Sequence, residues 1–174
     1  KERMLAARVM EELGDPATIP SLRDAALNDE DEMVAKLASH ALALMDAPGT
    51  VDALREIADQ DRSWESKVNS LWGLCKYGDA RGLEQSLAYL KDTKVSDSAR
   101  AALGANLMLL NDERLMPIVD STIEQYGKHE QVMSLAVDYF KNLGTVVARE
   151  RLRAIAQNTA YSAAVRKAAE DALR

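Results

Sequence analysis

Val165-Arg166-Lys167-Ala168-Ala169-Glu170-Asp171-Ala172-Leu173 spaces its apolar residues along one helix face, and its core positions Val165, Ala168 and Ala169 have counterparts along the whole chain. They return as Val34/Leu37/Ala38, Val68/Leu71/Trp72, Ala99/Ala102/Leu103 and Val132/Leu135/Ala136, the first members advancing along the numbering by 34, 31, 33 and 33. A second ladder of Leu22, Leu54, Leu87, Val119 and Leu152 keeps step with them, at intervals of 32, 33, 32 and 33. A steady period of this length marks stacked helical units that cannot bury their apolar faces singly. Such a register decides architecture and leaves function open, because stacked repeats serve as binding surfaces more often than as enzymes.

Each unit reads as a short helix, a turn and a longer helix. First helices follow a recurrent punctuation: Gly14-Asp15-Pro16, Gly78-Asp79-Ala80, Asn111-Asp112-Glu113 and Gly144-Thr145-Val146, with Asp46-Ala47-Pro48-Gly49-Thr50 as a longer variant. Gly or Asn takes the left-handed conformation that ends one helix, and Asp or Thr accepts from a free N–H of the next. Pro16 suits a first helical turn because its missing N–H would be unpaired there. Second helices are predicted to begin near Asp31, Ser63, Ser96, Lys128 and Thr159. The expected organisation is one continuous domain over 1–174, a piece of a longer chain, with repeats at 14–46, 47–77, 78–110, 111–143 and 144–174. Residues 1–13 read as the end of a preceding repeat, and Ala172, Leu173 and Arg174 close the last one without an obvious polar cap.

Hydrophobic residues make up 47% of the chain and aromatics only 5%, so the core must be built from Ala, Leu, Val and Met, which suits closely packed helices. The Leu13-Gly14-Asp15-Pro16 turn, the Pro16-Ala17-x-Ile19-Pro20-x-Leu22 entry and the stretch from Val165 to Leu173 together resemble the HEAT-repeat superfamily, specifically the short HEAT-like repeats of phycobilisome lyases. The likeness spans the chain, although Ala35, Asn69 and Met133 stand where the family places the arginine kept as Arg100 and Arg166. It implies an all-α, right-handed α-α superhelix, a solenoid of about five helix pairs.

Some relatives of this kind are enzymes, and the residues bear on that. His129-Glu130 and a distant His40 cannot supply the several His-Glu pairs of a di-iron site, so no metal or cofactor is expected. Cys75 falls on or near the buried stripe with no His or Asp placed to activate it, and no catalytic residue is assigned. Charge changes along the chain: 6 Lys and Arg against 13 Asp and Glu in 1–60, 9 against 12 in 61–140, and 7 against 3 in 141–174. A net charge of −6 argues against nucleic acid, since only Lys141, Arg149, Arg151, Arg153, Arg166, Lys167 and Arg174 approach a phosphate-tracking cluster. No run is long and apolar enough to span a bilayer. The compartment stays open, with a lean toward the cytoplasm.

Binding through the concave side is the expected function. The resemblance implies that second helices line that side, so the residues just after each ladder position should form a ridge of Ala35, Asn69, Arg100, Met133 and Arg166. One turn further stand Ser39, Gly73, Gly104, Val137 and Glu170. Two glycines inside helices should each cost about 1 kcal/mol against Ala unless neighbouring helices approach closely there, or a partner fills a groove beside Trp72, Gly73 and Gly104. Trp64, in the first turn of a second helix, is either an interface anchor or a staple folded over Asp59, Gln60 and Asp61. The partner-binding candidates are therefore Trp64, Asn69, Gly73, Arg100, Gly104, Met133 and Arg166. The reading is a non-catalytic interaction or scaffold module for another protein or another domain of the parent chain; the alternatives are an intramolecular spacer or a chromophore-lyase-like enzyme.

Overall fold

The computed structural model describes residues 1–60 and 63–174, which are all-α apart from turns and loops and divide into two compact units, 1–88 and 89–174. The first unit holds α1 (Glu2–Leu13), α2 (Ile19–Asn28), α3 (Glu32–Leu44), α4 (Thr50–Ala58), α5 (Trp64–Lys76) and most of α6 (Ala80–Lys91). The second holds α7 (Asp97–Met108), α8 (Met116–Tyr126), α9 (Glu130–Leu143), α10 (Val146–Gln157) and α11 (Ala163–Ala172). Within the first, α3 packs on α1, α2, α4 and α5; within the second, α9 packs on α7, α8, α10 and α11.

Turn chemistry makes these boundaries. Gly14, Gly78, Asn111 and Gly144 all take positive φ between 51° and 75°, and the side chains of Asp15, Asp79, Asp112 and Thr145 accept from the N–H of Ala17, Gly82, Arg114 and Ala148. Three expected starts differ. Pro16 opens a short 3-10 turn, Pro16–Thr18, and α2 begins only at Ile19. The cap of α9 is His129, one residue beyond Lys128. The cap of α11 is Ser162, whose Oγ accepts from Val165 N–H, because Asn158 Oδ1 ties back to Ala160 N–H and holds 158–161 in a turn past Thr159.

Small residues let the helices close on one another. The first member of every triplet, Val34, Val68, Ala99, Val132 and Val165, is buried, as are the ladder residues Leu22, Leu54, Val119 and Leu152. Leu87 departs from its ladder and is half-buried. A Cβ on Gly82 would lie 2.4 Å from Leu74 Cβ, so α6 approaches α5 through Gly82, and Ser86 one turn on is buried against Cys75, 3.6 Å from its Sγ. In the second unit Tyr139 and Phe140 meet edge to face at 5.3 Å, and burial pushes the Tyr139 phenol far above its ordinary pKa while its hydroxyl donates to Asp112 carbonyl at 2.8 Å.

First helices are tied by charge. Arg55 of α4 donates through Nε and Nη2 to Asp79 at 3.2 and 2.5 Å, while Arg151 of α10 grips Asp120 of α8 through two bonds of 3.0 and 2.7 Å. Burial alone would raise the Asp79 pKa, but the Arg55 bonds, the Gly82 N–H and the Arg55 charge outweigh it and hold the carboxyl below its ordinary value.

Two outcomes follow from these contacts. A methyl at Gly104 would fall 2.3 Å from Thr122 Oγ1, which itself donates to Ile118 carbonyl, so Gly104→Ala should destabilise by about 1–3 kcal/mol in urea unfolding and Thr122→Ala should recover most of that loss. A depressed native pKa at Asp79 contributes stability that is present above its unfolded value and lost as pH falls through the native one. Asp79→Asn should therefore lower stability at pH 7 and flatten the decline below about pH 4, read from Tm against pH.

Candidate functional site

The second helices of the first unit are joined by a polar seam that the repeat pattern hides. Asn69 of α5 donates to Lys36 carbonyl at 3.1 Å and Ser39 Oγ at 3.2 Å on α3, and Gly73, one turn on, lets α5 close until an added Cβ would stand 2.9 Å from Ala43 Cβ and 2.8 Å from Leu54 Cδ1. At the end of the seam Lys76 Nζ donates to the carbonyls of Ala43 and Leu44 at 3.2 and 3.4 Å. Tyr77 hydroxyl lies 2.6 Å from Met45 carbonyl. These groups satisfy the terminal carbonyls of α3, and the ammonium also sits over the Trp72 ring at 5.6 Å. Burial is the main reason the Tyr77 phenol titrates above its usual value.

This geometry sorts the expected ridge. Gly73 and Gly104 are filled by neighbouring helices, and Met133 is 1% exposed within the α9 core, so none of the three has surface to offer a partner. The reason is helix rotation: those positions turn toward adjacent helices, and Asn69 is half-buried as a seam residue. Arg100 is held by an ion pair with Asp97 and is only 14% exposed, while Arg166 is half-buried. Trp64 alone stands out, at 44% exposure on the first residue of α5. Of the residues over which it could fold, Asp59 is taken by Arg81 and Gln85 of α6, and Asp61 lies outside the described residues.

In the first unit the second-helix layer presents an apolar line to solvent on α3. Met33, Leu37, His40 and Leu44 follow a helical i, i+4, i+7, i+11 spacing; Met33, His40 and Leu44 are exposed and Leu37 is half-buried. His40 Nδ1 lies 3.5 Å from Glu11 on α1. On α5 the half-buried Trp72 and exposed Lys76 continue the surface, brought beside Leu44 by the Lys76 bond to its carbonyl. The spacing of this line is legible in the sequence, but Leu37 and Leu44 look like core residues until the neighbours of α3 are known.

Three of the seven basic residues of the carboxy-terminal stretch are engaged in internal bonds. Arg151 serves Asp120, Arg149 donates to Leu173 carbonyl at 2.8 Å where it caps α11, and Arg174 pairs with Asp171 at 3.5 Å. Among the described residues no cluster of three His, Cys, Asp or Glu could hold a metal ion, and no helix is long and apolar enough to cross a membrane.

Helix pairs with capped turns and a seam of small residues between second helices are the physical content of a repeat family, and a model of HEAT repeats matches residues 1–75. Over this stretch the chain is similar to HEAT repeats. HEAT repeats generally mediate protein–protein interaction or scaffolding. No curated protein matches the chain. The HEAT segment contains both α3 with its exposed line and the seam from Asn69 to Gly73. Asn69→Ala would remove both seam bonds and leave Lys36 carbonyl with one donor fewer; it should cost about 1 kcal/mol in chemical denaturation with the helical circular dichroism unchanged.

Proposed function

We propose that this chain is a non-catalytic protein-interaction module that engages another protein through the solvent face of its second helices in the HEAT segment. The observation that supports it most directly is α3. Neighbours on four sides, α1, α2, α4 and α5, leave this helix one open face, along which Met33, Leu37, His40 and Leu44 form a mainly apolar line flanked by Glu32 and Lys36. Trp72 with Lys76 above it extends the surface, and an aromatic ring beside aliphatic side chains and a cation is the composition that anchors interfaces.

The mechanism is contact spread over successive repeats, each contributing one or two side chains from a rigid helix. Rigidity comes from the seam, since Asn69, Lys76 and Tyr77 hold α5 to the backbone of α3. Binding then orders few groups, which limits its entropic cost. The second reading, a domain that packs within a larger protein, is favoured by the exposed apolar face of α1.

Cross-linking capture from cells of the source organism distinguishes the surfaces. Proteins bound by the parent chain should fall at least tenfold with Met33→Glu/Leu44→Glu and persist with Val146→Glu, which alters an exposed apolar residue outside the HEAT segment. Equal capture by all three folded proteins would remove the α3 face as the binding surface.

A further inference from the structure

Leu5, Val9 and Leu13 form a straight apolar stripe at i, i+4 and i+8 on α1, exposed at 63%, 44% and 68%. The opposite side of α1 is already used: Ala7 is buried, and Glu11 reaches His40 on α3. Two other helices show what the stripe is shaped for.

Gly14 and Gly78 occupy the same place in their turns, both at positive φ and both followed by an aspartate whose side chain accepts from the next helix. Aligning them sets Leu5, Val9 and Leu13 on Asn69, Gly73 and Tyr77 of α5. Those are the residues by which α5 meets the preceding second helix, α3: Asn69 on Lys36 and Ser39, Gly73 on Ala43, Tyr77 on the carbonyls of Ala43 and Met45. Gly144 gives the same answer in the second unit. Its φ of 61° matches the 60° of Gly14, and each donates its N–H to the carbonyl four residues back, Phe140 or Met10. That alignment sets the stripe on Leu135, Tyr139 and Leu143 of α9, which packs on α7. Tyr139 is 1% exposed, with its hydroxyl on the Asp112 carbonyl in the turn after α7.

Positions that make the contact between successive second helices in α5 and α9 are thus present on α1, in apolar form and uncovered. We propose that the Leu5, Val9 and Leu13 face of α1 is the seat of a further helix pair of this same kind, carried ahead of α1 on the same polypeptide. The connectivity specifies that source. The second helix met by these positions lies earlier in the chain with one first helix between, α3 and α4 ahead of α5 and α7 and α8 ahead of α9, so the occupant of the stripe comes from the amino-terminal side. The incoming second helix needs small residues where it crosses Val9, as α3 offers Ser39 and Ala43 to α5.

A chain extended by its own helices tests the seat. A copy of residues 97–130, carrying α7 and α8, joined directly ahead of Lys1 preserves the spacing from Gly14 to Gly144 and puts Leu5 and Leu13 where Leu135 and Leu143 stand in α9. Amide hydrogen exchange across residues 5–13 should slow at least tenfold relative to the parent chain. The slowing should vanish in an extended Leu5→Glu/Val9→Glu/Leu13→Glu chain whose exchange in α3, α4 and α5 is unchanged, which separates a lost seat from a lost fold. Unchanged exchange in α1, or an extension that stays unstructured, would overturn the proposal. So would sedimentation of the parent chain as a dimer that the triple substitution disperses, because the face would then belong to a second copy.

Discussion

Close approach of helices is the constraint on which the rest depends. At Gly73, Gly82 and Gly104 a single added Cβ would come within 2.8, 2.4 and 2.3 Å of the facing side chain, so helix spacing at these points is set by the absence of a side chain. The core is otherwise Ala, Leu, Val and Met with few aromatics, and it reaches full burial because backbones come near enough for short side chains to touch. A glycine in a helix interior costs about 1 kcal/mol of propensity, and the contacts it permits on both flanks offset that cost.

Close approach leaves little room for water, and several polar groups between helices find partners in the protein. Asn69 bonds to the backbone of α3, Thr122 returns its hydroxyl to Ile118 carbonyl, Lys76 and Tyr77 satisfy the end of α3, and Tyr139 reaches the turn after α7. These bonds fix one helix on the next at a definite rotation. That rotation decides which residues reach solvent: it turns Met133 and the two glycines inward and brings Met33, His40 and Leu44 out. A surface of this kind follows from the packing of four neighbours around one helix.

Charge plays a supporting part in each unit. Arg55 with Asp79 and Arg151 with Asp120 bridge successive first helices, and of the basic run in the sequence Arg151 and Arg174 are paired with aspartates in the fold. The acidic bias of 1–60 and the basic bias of 141–174 are thus partly absorbed by internal ion pairs, and weak as ligand signals.

Sequence by itself determined the helical class, the repeat period and nearly every turn, because those depend on local chemistry: a left-handed Gly or Asn, a capping Asp, Ser or Thr, and apolar residues at helical spacing. It also placed close packing at the glycines among the readings of Gly73 and Gly104. Rotation of each second helix was decided by tertiary structure alone. From Val34 of α3 to Val68 of α5 the triplets step by 34 in the numbering, yet the turns that orient α1 and α5, at Gly14 and Gly78, average a step of 32 per repeat. A slip of two positions is about 200° of helix rotation, which carries a residue from the surface into a seam. Which of Ala35, Asn69, Met133, His40 or Leu44 meets solvent depends on neighbours distant in sequence, and no local pattern encodes them.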